Sequence, residues 1–104
     1  MPAGLILQFS GTGLAEYEAV NKHLNIDMKS GSGDWPAGLL THAGGTADDG
    51  NLVVIEVWES REAQGRFMQD RLGRALQEGG VTAVPTITWV DLIAYHTPES
   101  RAAR

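Results

Sequence analysis

Leu52-Val53-Val54-Ile55-Glu56-Val57-Trp58-Glu59 is the stretch on which the fold turns. Alternation puts Val53, Ile55 and Val57 on one side and Leu52, Val54 and Trp58 on the other, so this is a strand whose two faces both need cover. Just after it, Ser60 stands where a helix N-cap belongs and Glu62 falls in the first turn. Phe67, Met68, Leu72, Ala75 and Leu76 then form an apolar stripe through a helix that ends near Gly79-Gly80. Just before it, Leu39-Leu40-Thr41-His42-Ala43 is a second strand-like run. The segment Gly44 to Asn51 between the two runs is dense in residues that tolerate turns, which predicts a hairpin with a long tip.

Further out, Leu5-Ile6-Leu7-Gln8-Phe9 is β-prone and stops at the turn cluster Ser10-Gly11-Thr12-Gly13. Leu14, Tyr17, Val20 and Leu24 recur at helical spacing, with Thr12 placed to cap and Glu16 and Glu18 near the positive end of the dipole. Asp27 to Pro36 carries no periodicity and is expected to be an exposed loop. Thr86 to Tyr95 is rich in β-branched and aromatic residues and is expected to be a last strand, with Trp89 and Tyr95 on one face. The order is β-α-β-β-α-β. Right-handed crossovers then give a ferredoxin-like α+β fold, a four-stranded antiparallel sheet with two helices on one face. The other face stays bare and apolar, and a second copy of the chain is its expected cover, which makes a homodimer.

At 104 residues the chain has room for one core, so residues 1–96 are expected to form one domain and 97–104 a flexible tail. A net charge of −5 and a pI near 5.0, with no stripe of basic residues, argue against nucleic acid as a partner. The chain has no cysteine, which excludes disulfides, thiolate nucleophiles and cysteine-bound metal. There is no apolar run of membrane-spanning length and no signal-peptide pattern, so no membrane association and a cytoplasmic location are expected.

Trp35 to His42, then Val54 to Ala63, then Phe67-Met68-Gln69-Asp70-Arg71-Leu72 resemble the dimeric α+β barrel superfamily. That superfamily holds antibiotic-biosynthesis monooxygenases, haem-degrading monooxygenases, stress-responsive barrels and some polyketide cyclases. The resemblance implies a pocket between sheet and helices in each subunit, and a cofactor-independent monooxygenase-like or cyclase-like activity on a hydrophobic, polyketide-like substrate. It also subtracts. The haem-degrading branch pairs a strand tryptophan with a helix histidine, and the second helix here has no histidine. The first-strand asparagine of several such monooxygenases is absent too, with Gln8 the nearest amide.

His42 is the leading candidate for general acid or base, because imidazole titrates near neutrality unaided. A surface or satisfied structural histidine is the competing reading. Glu56, on the same strand face as Trp58, is the second catalytic candidate, or else an acid at a solvated strand end. Gln8, Tyr17, Trp58, Arg71 and Trp89 are the substrate-binding candidates. Arg71 stands out because it falls within the apolar stripe and needs a partner: a structural ion pair with a sheet or loop carboxylate or a snorkelling stem is one reading, and binding an anionic or enolate oxygen is the other. Trp89 and Tyr95 are core or dimer packing, or a ligand-stacking wall. His23 complements a helix end and His96 faces water or a partner. Neither H-E-x-x-H nor a calcium loop occurs, and Gly11-Thr12-Gly13 falls short of a phosphate or dinucleotide fingerprint, so neither a metal nor a cofactor is expected. The enzyme reading competes with a non-catalytic dimer that binds a small apolar ligand or serves as an interaction module.

Overall fold

The computed structural model describes residues 2–96. In chain order the elements are β1 (Ala3–Phe9), α1 (Leu14–His23), β2 (Ile26–Asp27), β3 (Ser32–Gly33), β4 (Leu39–Thr46), β5 (Leu52–Trp58), α2 (Arg61–Phe67), a π-helical turn (Met68–Leu72), α3 (Gly73–Glu78) and β6 (Thr86–Asp91). β4, β5, β1 and β6 lie side by side in one antiparallel sheet, and β2 pairs with β3 in a separate two-stranded ladder. The helices α1 and α2-π-α3 pack on one face, so the ferredoxin-like α+β architecture is the observed one. Among the described residues, no helix is long and apolar enough to cross a membrane.

Strand parity divides the sheet. Leu5, Leu7 and Phe9 on β1 and Leu52, Val54 and Trp58 on β5 point to the helices and are buried, with Trp58 0% and Leu5 1% exposed. Val20, Leu24, Phe67 and Ala75 close over them from the helical layer. Ile6, Val53, Ile55, Val57 and Val90 point the other way, and Ile55 and Val90 are 53% and 39% exposed. A bare apolar face is therefore present. At Ser60 the expected cap forms, its Oγ accepting from the Ala63 amide at 3.1 Å.

Several local expectations are corrected. The segment Asp27 to Pro36 is not a plain exposed loop: β2 and β3 make a small hairpin, and Ile26, Met28, Trp35 and Pro36 turn inward. Gly13, not Thr12, holds the N-cap position of α1, and the Glu16 carboxylate accepts from its amide at 3.1 Å. Thr12 is buried and Leu14 is 63% exposed, so the packed face of α1 is Tyr17, Val20, Asn21 and Leu24. β4 runs on to Thr46, which shortens the hairpin tip. β6 stops at Asp91, so Tyr95 lies beyond the strand and shares no strand face with Trp89. The tail expected from Thr97 onward lies outside the described residues.

Candidate functional site

A cavity of about 60 Å³ lies between the sheet and the helices, walled mainly by apolar side chains such as Leu7, Leu24, Val54 and Phe67. At about 10–15 Å³ per water-sized group, it has room for roughly five of them. Tyr17, His42 and Glu56 carry polar groups into this wall. Among the described residues no three His, Asp or Glu side chains converge as a metal site would require.

The His42 position depends on a bulge. Leu39 sits opposite Trp58, then Leu40 is passed over, and Thr41 and His42 sit opposite Val57 and Glu56. The extra residue reverses parity, so both Leu39 and His42 face inward, where regular alternation from Leu39 would have sent the imidazole to the outer face. Gly44 is set by the same register. It lies opposite Val54 on the inner face, and a Cβ there would stand 2.5 Å from the Tyr17 hydroxyl. Its missing side chain is the space that the phenol occupies.

Four side chains then join in line. Tyr17 Oη lies 2.6 Å from His42 Nε2, His42 Nδ1 lies 2.7 Å from Glu56 Oε2, and Trp58 Nε1 donates to Glu56 Oε1 at 2.9 Å. The His42 and Glu56 side chains are 12% and 8% exposed, and the Tyr17 and His42 ring planes lie 9° apart. Indole nitrogen can only donate and a carboxylate can only accept. With Glu56 as a carboxylate, Nδ1 carries a proton toward it, and in the neutral ring Nε2 then presents its lone pair to the Tyr17 O–H. This is the ordering an acid–base histidine needs, with an oriented carboxylate behind it. Burial raises the Tyr17 pKa, the nearby Asn21 amide pulls the other way, and the Glu56 charge adds to the rise. The phenol is thereby held as a neutral donor.

Tyr17, His42 and Glu56 are thus brought together, with Trp58 directly behind them. Three other candidates lie elsewhere. Gln8 is exposed on the outer sheet face and is remote from the cavity by strand parity. The Arg71 guanidinium donates to the Leu24 and Asp34 carbonyls at 2.8 and 2.7 Å and lies over the Phe67 ring, tying the helical layer to the β2-β3 hairpin. Trp89 packs at the core edge opposite Leu5, with the Arg61 guanidinium 5.1 Å above its ring. His23 meets Glu78 at 3.2 Å, and His96 is exposed. Sequence reasoning missed Trp35, whose ring centroid lies 5.6 Å from that of His42, and Asn21, one turn after Tyr17 on α1. Only the i, i+4 spacing of Tyr17 and Asn21 could have pointed to the second.

No protein-family model matches the chain, and no curated protein does. Solved structures do match it. Rv0793 from Mycobacterium tuberculosis is similar with a TM-score of 0.66 at 16% identity, over 93% of this chain and 100% of that one. The NE2512 protein of unknown function from Nitrosomonas europaea gives 0.66 and 16% over 93% and 94%. A candidate antibiotic biosynthesis monooxygenase from Chloroflexus aurantiacus J-10-fl gives 0.63 and 17% over 93% and 98%. The chain has their fold. At this identity the likeness is one of architecture alone, the ferredoxin-like α+β fold. The chemistry has to be argued from the side chains, since one fold hosts many reactions.

Proposed function

We propose that the protein is a homodimeric small-molecule enzyme that, without a bound cofactor, removes a proton from a carbon next to a carbonyl, with His42 Nε2 as the base. The observation that carries this reading is the contact of His42 Nδ1 with the Glu56 carboxylate at 2.7 Å beside an apolar cavity, which favours the Nδ1–H tautomer. The base takes the proton and becomes an imidazolium beside the Glu56 carboxylate, and the electron pair moves onto the carbonyl oxygen to give an enolate. Tyr17 O–H, released from Nε2, donates to that oxygen. The enolate carbon then either bonds to dioxygen, the oxidant, giving a hydroperoxide whose O–O bond breaks with loss of water to leave a new carbonyl, or closes a ring onto a second carbonyl. A polyketide-like aromatic exceeds the cavity, which is far below the roughly 300–1,000 Å³ of drug-sized sites. Only its reacting end enters. The rest lies in the adjoining groove between α1 and the β2-β3 hairpin, whose wall shares Tyr17 and Met28 with the cavity.

The test is hydrogen–deuterium exchange at the acidic carbon of a panel of anthrones and aromatic β-diketones, with oxygen uptake followed in parallel. Wild type exchanges and His42→Ala does not; equal behaviour of the two refutes the base. Non-catalytic ligand binding is the competing reading, and it predicts binding without exchange. The dimer rests on the outer face of Ile6, Val53, Ile55, Val57 and Val90. Sedimentation is expected to give twice 11.2 kDa for wild type and 11.2 kDa for Ile55→Lys. A monomeric wild type refutes the dimer.

A further inference from the structure

Asn21 is 6% exposed and lines the cavity, and among the described residues its Nδ2 is the one buried side-chain nitrogen or oxygen without a hydrogen-bond partner. A buried amide N–H left unpaired costs about 1–3 kcal/mol, so such a group ordinarily has a partner. Three other polar side chains of the wall, Tyr17, His42 and Glu56, are paired with one another and, behind them, with Trp58. Asn21 is thus a cavity-lining residue with an unused donor.

We infer that Asn21 Nδ2 is the anchor for a ligand carbonyl oxygen, and that the group entering the cavity is a compact, uncharged, enolisable ketone. Three features define that class. The free group is a donor, so the ligand brings an acceptor. Beyond the relay, Thr12 and Asn21 the wall is apolar, and no Lys or Arg lines it, so the acceptor is a neutral carbonyl at the outset and not a carboxylate or phosphate. Room for roughly five water-sized groups limits the buried end to one small ring or a short branched chain. A carbonyl oxygen at Nδ2 lies beside Tyr17 Oη, one helical turn away, so the two donors flank the oxygen on which an enolate charge would grow. This inference rests on the acid–base reading for its chemistry, but the oxygen anchor is a binding property that stands or falls without it.

The test uses cyclopentanone, which is of about the cavity's capacity, against methylenecyclopentane, which has the same shape with a CH₂ in place of the oxygen. Binding is followed by NMR at millimolar concentrations. Wild type is expected to bind the ketone about tenfold tighter than the hydrocarbon, with a saturable downfield shift of the Asn21 side-chain amide protons. Asn21→Leu should bring the two affinities within about twofold. Should the leucine variant not fold, the wild-type preference and amide shift decide alone. Absence of a ketone preference in wild type, or one that survives in Asn21→Leu, overturns the anchor, as do Asn21 amide protons that contact only water. His42→Ala separates this from the proton-transfer reading. It should keep the ketone preference while losing carbon-proton exchange, and loss of exchange with no ketone preference in any form sinks the anchor and leaves the base.

Discussion

Replacing Glu56 tests the relay directly, because two substitutions there separate stability from proton order. The carboxylate accepts from His42 Nδ1 at 2.7 Å and from Trp58 Nε1 at 2.9 Å, with its side chain 8% exposed. Leucine leaves both N–H groups buried without acceptors, at about 1–3 kcal/mol each. Burying leucine's apolar surface returns about 1.5–3 kcal/mol, so central figures leave a net loss of about 2 kcal/mol. Glutamine has the carboxylate's shape but one oxygen and one NH₂. Trp58 can only donate, so the amide oxygen turns to it and the NH₂ turns to Nδ1, which must then accept. The imidazole proton moves to Nε2, and the lone pair that would take a substrate proton is gone. Two charge-assisted bonds become neutral ones, at about 1–2 kcal/mol in all. Nitrogen NMR of the His42 ring reads the tautomer and urea unfolding reads the stability. Wild type should show Nδ1 protonated and Nε2 bare, and Glu56→Gln the reverse, with proton-transfer activity lost out of proportion to the stability. An Nε2–H tautomer in wild type, or an unchanged one in Glu56→Gln, refutes the argument.

Gly44→Ala places a Cβ 2.5 Å from Tyr17 Oη, so the phenol must leave His42 Nε2. The check is loss of the cross-peaks between the two rings in a protein that stays folded, and their persistence means the close approach is not real. Tyr17 itself sets a pH dependence. Its folded pKa lies above the ordinary 10.0, so the stabilisation of the neutral phenol is fully present below about pH 10 and is lost as pH rises through the folded value. The urea midpoint should fall above pH 10, and Tyr17→Phe should flatten that fall; superimposable curves sink the claim. Arg71→Met removes the bonds to the Leu24 and Asp34 carbonyls and should cost about 2 kcal/mol, the more exposed bond counting for less. Faster amide exchange is expected across residues 25–34, and unaltered exchange there would show that Arg71 does not brace the hairpin.

The sequence reveals much of this protein where a signal is periodic and little where it is not. Both faces of Leu52 to Trp58 are apolar because one meets helices and the other is left bare, and from that alternation came the sheet, its helical cover and the outer patch. Glu56 and Trp58 could be placed on one face for the same reason. Gln8 was drawn to the pocket through a resemblance, although its own strand's alternation, with Leu7 and Phe9 inward, puts it outside. Arg71 advertised a need for partners, but backbone carbonyls met it, and carbonyls leave no trace in a sequence.

His42 shows why the site was harder to read than the sheet. Regular alternation places Leu39 and Thr41 together and sends His42 to the opposite face, and nothing in Leu39-Leu40-Thr41-His42-Ala43 marks Leu40 as the residue to be skipped. A bulge is decided by the partner strand and by the layer above it. Here Trp58 holds Leu39 and Glu56 holds His42, so the two inward contacts on β5 span one residue fewer than their partners on β4. The Glu56 carboxylate, buried and supplied with one donor by Trp58, needs a second, and taking His42 as that donor is what turns the imidazole inward. On this view bulge and relay stabilise each other. Removing the acceptor with Glu56→Leu should therefore loosen the bulge as well as the histidine, which can be read as faster exchange of the amides around Leu40. If those amides stay protected while His42 loses its fixed tautomer, the bulge is set by the backbone alone and the relay merely occupies it.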